Sequence, residues 1–200
     1  MSTNMFSTAD EPVILARLHT RLAATAAEAG ALDIAYRTVD TPVGALLLAA
    51  TDVGLVRVAF AVENHDSVLA TLAQRVSPRI LQSPTRLDDA ARQLEQFFQR
   101  RRTTFDLPVD LRLAQGFRRS VIEHLRVIDY GHRETYAQVA DAVGSPRAVR
   151  AVGTACARNP LPVVIGCHRV VRSDGSTGQY AGGATAKQTL LDFEAAQVRE

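Results

Sequence analysis

The chain has 200 residues, 46% of them apolar, and a formal net charge of +2 at neutral pH. That is enough for one large domain or two small ones with an ample core, and no apolar run approaches the roughly 18–20 residues of a membrane span. Two cysteines, Cys156 and Cys167, make no disulfide framework, and five histidines show no ligand-like spacing. We therefore expect a reducing, cytoplasmic setting, no metal and no cofactor.

Charge is uneven along the chain. Residues 1–110 carry 11 basic against 13 acidic groups, whereas residues 111–172 carry 10 arginines against 4 acidic groups. A single lysine, Lys187, stands in a chain otherwise basic through arginine. Arginine's planar fork suits bidentate contacts to phosphates and bases, so the second half has the electrostatics of a nucleic-acid partner.

In chain order, the first thirty residues have no basic leader before an apolar core, which argues against a signal peptide. Residues 12–30 predict an Ala-rich helix. "LDIAYRTVD", "GALLLAATD" and "GLVRVAF" predict three strands of a small antiparallel meander, punctuated by Gly44 and Gly54. Helices are expected at 64–76 and 86–102, with "SPRILQSPTR" as the loop between them. "TTFDLPVDLRLA" is extended and marks the linker, dividing the chain into 1–108, with 1–32 as an extension, and 109–200. Beyond it, "FRRSVIEHLRVI" sets Phe117, Val121, Leu125 and Ile128 on one helical face.

"TYAQVADAVGSPRAVRAVGTACARNP" reads as two short helices and a tight turn, a helix-turn-helix at 135–157. Thr135 can cap the first helix and Gly144 end it. Ser145 would cap the second, with Pro146 in its first turn. That helix carries Arg147 and Arg150, with Arg158 just beyond, among the small residues Ala148, Ala151, Gly153, Thr154 and Ala155. Small side chains permit close approach to a groove while arginines reach phosphates or bases. A plain packed helix pair with solvated arginines is the other reading of this stretch.

"NPLPVVIGCHRVVRSDG" raises the question of chemistry. Apolar flanks make Cys167 resemble an inert cysteine in a core strand. Adjacent side chains on a strand point to opposite faces, so a direct Cys167–His168 dyad would be awkward. Three features favour reactivity. Gly166 permits close approach of a ligand, the prolines stiffen the segment, and Arg169 and Arg172 supply charge that favours thiolate. His168 could act through a water, with Glu194 on a helix at 186–197 orienting it.

From Phe117 to about Glu194 the chain resembles the O6-alkylguanine-DNA alkyltransferases. The resemblance is carried by "RAVG", "NP", the Cys-His-Arg-Val run and the downstream "GQYAGG", lysine and "LLDFE" elements. The family's fold implies an α/β N-terminal domain and a mostly helical, winged-helix-like DNA-binding C-terminal domain. Its activity implies repair by direct reversal: an O6-alkylguanine flipped out of duplex DNA passes its alkyl group irreversibly to Cys167, once per molecule. The resemblance makes Cys167 the acceptor, His168 and Glu194 its relay, Asn159 a brace and Tyr136 an aid to flipping. Arg150 becomes the finger that fills the stack, with Arg147, Ala151, Gly153, Thr154, Arg158, Thr135 and Ser173 at the DNA, in the minor groove. Tyr136, Val170, Tyr180, Ala181, Gly182 and Gly166 would line the alkylguanine pocket. No obligate protein partner is implied, and the protein is expected to act as a monomer.

Several residues depart from the family pattern: His132, Arg133, Ile122, Ala181, Thr154 and above all Gly166, which replaces the signature proline. Gly166 leaves a second reading open, a sensor that binds alkylated DNA but transfers poorly because its thiol is misplaced.

Overall fold

The computed structural model describes residues 11–197; residues 1–10 of the expected extension, with the start of the leader-free stretch, and residues 198–200 lie outside it. In chain order the elements are α1 (Glu11–Glu28), β1 (Ile34–Val39), β2 (Leu46–Ala50), β3 (Leu55–Phe60), α2 (His65–Arg75), β4 (Ile80–Gln82) and α3 (Asp88–Phe98). There follow α4 (Phe117–Leu125), β5 (Glu134–Thr135), α5 (Tyr136–Ala142), α6 (Val149–Ala157), β6 (Val170–Val171) and α7 (Gly183–Gln197). Among the described residues no helix is long and apolar enough to cross a membrane.

The predicted meander is present, β1 pairing antiparallel with β2 and β2 with β3. Strand β2 is buried on both faces. Its Leu46, Leu48 and Ala50 join one core cluster and its Leu47 and Ala49 another, as the twofold period of a strand requires. Val68 and Leu72 of α2 cover one face. Leu94 and Phe97 of α3, together with the C-terminal half, cover the other.

The sheet is mixed, not purely antiparallel. "SPRILQSPTR", expected as a loop, contributes β4, which pairs parallel with β1 in the order β3-β2-β1-β4. A three-residue Ile-Leu-Gln run is too short to show a period. Its pairing answers a long-range need, the unpaired edge of β1. Helix α3 stops four residues before the predicted end, where Arg100 adopts φ 59 and the Arg101 amide closes onto Gln96 O.

In the second half, Gly144 at φ 70 ends α5 in a Schellman arrangement: Ser145 N donates to Ala140 O and Gly144 N to Asp141 O. Ser145 therefore closes the first helix. It does not cap the second, which begins at Val149 after a Ser145–Ala148 turn. Thr135 does cap α5, in a reciprocal box with Gln138. Helix α7 begins at Gly183, three residues before the predicted start.

The two halves share one core. Phe97 packs against Phe105, Tyr130 and Phe193 with ring centroids 5.3–5.9 Å apart. The linker is stitched to β3: Leu55 N donates to Pro108 O and Asp110 N to Leu55 O. Gly54 sits at this seam with φ +150, and a Cβ there would overlap the Pro108 carbonyl. Gly54→Ala is expected to destabilise the fold by about 3 kcal/mol, because both clash and backbone strain act at one residue; urea denaturation of the two chains measures it.

Candidate active site

Cys167 lies on a short 3-10 turn, Cys167–Arg169, and not on the strand its neighbours suggest. Gly166 before it has φ −69 and ψ 48, and Cys167 N donates back to Ile165 O at 2.7 Å. This is an inverse γ-turn, and its φ is one that proline also adopts. The glycine therefore keeps a proline-like backbone before Cys167. What it omits is bulk: a Cβ at 166 would lie 2.9 Å from Arg169 Cδ and Nε.

The space is used. Arg169, itself buried, donates from Nε to Glu194 Oε2 at 3.0 Å and from Nη2 to Oε1 at 3.0 Å, while Nη1 reaches Ile128 O. Glu194, 1% exposed, also accepts from His168 Nε2 at 2.8 Å and from Gly131 N at 3.0 Å. Burial works against its ionisation, but the hydrogen bonds and charges of His168 and Arg169 prevail and hold its carboxyl at about 2.

His168 is fully buried, and burial pulls its pKa below the usual imidazole value against the pull of Glu194. A carboxylate can only accept, so in the neutral ring Nε2 carries the hydrogen and Nδ1 keeps a lone pair. Nδ1 is buried and has no hydrogen-bond partner in the structure. Cys167 is 1% exposed, and burial pushes its thiol up to about 11 despite a hydrogen bond from Asn159 and the charge of Lys187. Such a thiol stays protonated at neutral pH unless a base takes the proton.

Asn159 braces the loop: Nδ2 donates to Ile165 O and Oδ1 accepts from Leu161 N. Within the loop Val163 holds φ 71, an outlier for a β-branched residue. Of the two arginines expected to favour thiolate, Arg169 is committed to Glu194, and Arg172 is exposed and bonded to Ser176. The cation missed as a site residue is Lys187. It is fully buried and donates from Nζ to Val170 O at 2.6 Å and to the Tyr136 hydroxyl at 3.4 Å. Its signals in the sequence were its isolation as the sole lysine among arginines and its place among the elements of the family resemblance.

Tyr136, the first residue of α5, lies against Gly178, where a Cβ would overlap the phenol, and burial pushes that phenol up to about 12. Tyr180 is buried with its ring 6.4 Å from His168, edge to face. Ala181 and Gly182 follow it. Val170, expected in the pocket lining, has its carbonyl engaged by Lys187. Residues Arg147, Arg150, Ala151, Thr154 and Arg158 are exposed, whereas Val152, Ala155 and Cys156 of α6 are buried. Gly153 is half-buried and faces Tyr136; Thr135 is spent on its cap, and Ser173 is exposed on the turn after β6. Ile122 is a core residue of α4.

The description "6-O-methylguanine DNA methyltransferase, DNA binding domain" matches residues 116–196, and "6-O-methylguanine DNA methyltransferase, ribonuclease-like domain" matches residues 34–111. The chain belongs to the 6-O-methylguanine DNA methyltransferase family. It is 36% identical over 161 residues to a methylated-DNA–protein-cysteine methyltransferase of Mycolicibacterium paratuberculosis, covering 80% of this chain and 92% of that one. The constitutive enzyme of that name from Bacillus subtilis is 36% identical over 166 residues, with 82% and 98% covered. In structure the chain is similar to the Mycobacterium tuberculosis O6-methylguanine methyltransferase, with TM-score 0.72, 32% identity and 82% and 93% coverage. That protein's complex with DNA gives TM-score 0.70. The α1 segment lies outside both family matches.

Two outcomes follow from the Glu194 node. Glu194 titrates at about 2 in the fold against an ordinary 4.5, so the stability it contributes is complete above pH 4.5 and lost as pH falls towards 2. His168, held below 6.5, adds stability that begins to be lost once pH falls through that value. Glu194→Gln leaves Arg169 buried without its carboxylate; it is expected to cost about 3 kcal/mol at pH 7 and to flatten the acid limb, as urea titrations at a series of pH values will show. Gly166→Ala keeps the turn but crowds Arg169, for an expected loss of about 1 kcal/mol. An unchanged unfolding midpoint would mean that Arg169 does not need the space.

Proposed function

We propose that the chain removes alkyl groups from the O6 position of guanine in double-stranded DNA by moving them irreversibly to Cys167. The observation that carries this reading is the lone pair of His168 Nδ1, buried without a partner while Nε2 is fixed on Glu194. A buried acceptor without a partner, on the residue that follows a protonated buried thiol, suits a one-water proton relay.

In the reaction the Cys167 proton passes through a water to His168 Nδ1, and Glu194 stabilises the imidazolium that results. The sulfur attacks the alkyl carbon, an S–C bond forms, and the C–O6 bond breaks with its electrons passing to the base. The proton count closes when a proton returns to guanine, which carries one at N1 that its O6-alkyl form lacks. A thioether is a poor leaving group, so each molecule acts once. Asn159 holds the acceptor loop, and Lys187 holds the Tyr136 phenol toward the base.

A duplex hides its O6 atoms in the stack, so the base must be flipped out at a cost of a few kcal/mol. Arg150 fills the space it leaves, and Arg147, Ala151, Gly153, Thr154, Arg158, Thr135 and Ser173 form the minor-groove and backbone contacts. The pocket is assigned to Tyr136, Val170, Tyr180, Ala181, Gly182 and Gly166. Residues 109–200 bear the acceptor and the DNA face, residues 1–108 support them, and the protein works as a cytoplasmic monomer. Relatives bearing the methyltransferase name and the DNA complex of the Mycobacterium tuberculosis protein support this assignment.

Incubation with a duplex carrying one O6-methylguanine, followed by peptide mass mapping, is expected to find one methyl on the Cys167 peptide and none on the Cys156 peptide. Repaired DNA should never exceed protein in moles, and Cys167→Ser should abolish repair. Several turnovers per molecule, or repair with Cys167 unmodified, would overturn the assignment.

A further inference from the structure

We propose that Phe60, at the end of β3 in the N-terminal sheet, is a specificity-determining residue that sets how large an alkyl group the pocket accepts. The inference rests on the alkyl-transfer reading above.

The N-terminal sheet reaches the acceptor loop directly. Val58 N donates to Pro160 O at 2.9 Å, and Arg57 Nη1 lies 3.4 Å from Asn159 O and 3.3 Å from Pro160 O. Phe60 follows two residues later, on the same face of β3 as Val58. Its backbone N donates to Glu63 Oε1, and Glu63 is paired with Arg57, so the end of the strand is tied in place.

The Phe60 ring, 2% exposed, meets the Tyr180 ring at 5.5 Å and 68°. Tyr180 in turn stands edge to face against His168. Beside them the Phe60 ring fills the space a side chain at 182 would need: a Cβ there would come within 2.7 Å of Cε1 and 2.8 Å of Cδ1 and Cζ. Phe60 thus occupies the volume behind Tyr180 and Gly182, both assigned above to the pocket wall. A wall backed by a close-packed ring cannot recede. With the ring shortened, Tyr180 gains room to move away from His168, and a bulky alkyl group gains the vacated volume.

The test compares transfer rates from duplexes bearing O6-methylguanine and O6-benzylguanine, in the natural chain, Phe60→Leu and Phe60→Met. Both variants keep an apolar side chain and are first checked for folding by circular dichroism. The ratio of benzyl to methyl rates is expected to rise roughly tenfold, the scale of discrimination that a small change in pocket volume gives. Gly182→Ala, which must displace the ring, is expected to slow methyl transfer, and adding Phe60→Leu should restore part of it. A natural chain that methylates Cys167 while both folded Phe60 variants keep its benzyl-to-methyl ratio would overturn the role of Phe60. A natural chain that transfers no methyl would instead overturn the alkyl-transfer reading itself.

Discussion

One buried carboxylate organises the second half of this molecule. Glu194 on α7 receives the guanidinium of Arg169, the imidazole of His168 and the amide of Gly131, binding helix, the Cys167–Arg169 turn and the loop before β5 at one point. A carboxylate so deeply desolvated is costly unless every lone pair is met. Meeting them has a chemical result. The proton of His168 is pinned on Nε2, so Nδ1 keeps a buried, unpartnered lone pair, and the ring stays neutral because burial disfavours its cation.

Gly166 belongs to the same node. On the sequence it looked like a loosened signature and a reason to doubt the position of the thiol. In the fold its φ is proline-like, and the difference lies in the room it leaves for Arg169. The node also depends on the sheet beneath it. β3 holds the Asn159–Pro160 backbone through Val58 and Arg57 and sends Phe60 against Tyr180. Support for the reacting groups thus crosses from one half of the chain to the other.

What could be read from residues alone followed from how local each signal was. Strands β1 to β3 are marked by apolar runs between the Gly44 and Gly54 turns, α1 by its alanines and α4 by its period, and Cys167, His168, Asn159 and Glu194 by the family resemblance. β4 escaped because its pairing is set by an edge elsewhere in the sheet. The start of α6 was misjudged because Ser145 suits two roles and the Gly144 turn claims it first. Lys187 stands out in the sequence as the sole lysine, but nothing there assigns it a role, and Phe60 carries no local signature. One is a buried cation whose partners, the Val170 carbonyl and the Tyr136 hydroxyl, come together only in the fold, the other a core ring distinguished only by what lies against it.

The central claim is that His168, fixed by Glu194, takes the proton of Cys167. It is tested most directly by the pH dependence of single-turnover methyl transfer in the natural chain and in folded His168→Gln. The account predicts that the natural rate levels off near neutral pH. The variant rate should stay low there and climb in proportion to hydroxide, towards the ionisation of a buried thiol at about 11. Two profiles of the same shape, offset or not, would contradict it.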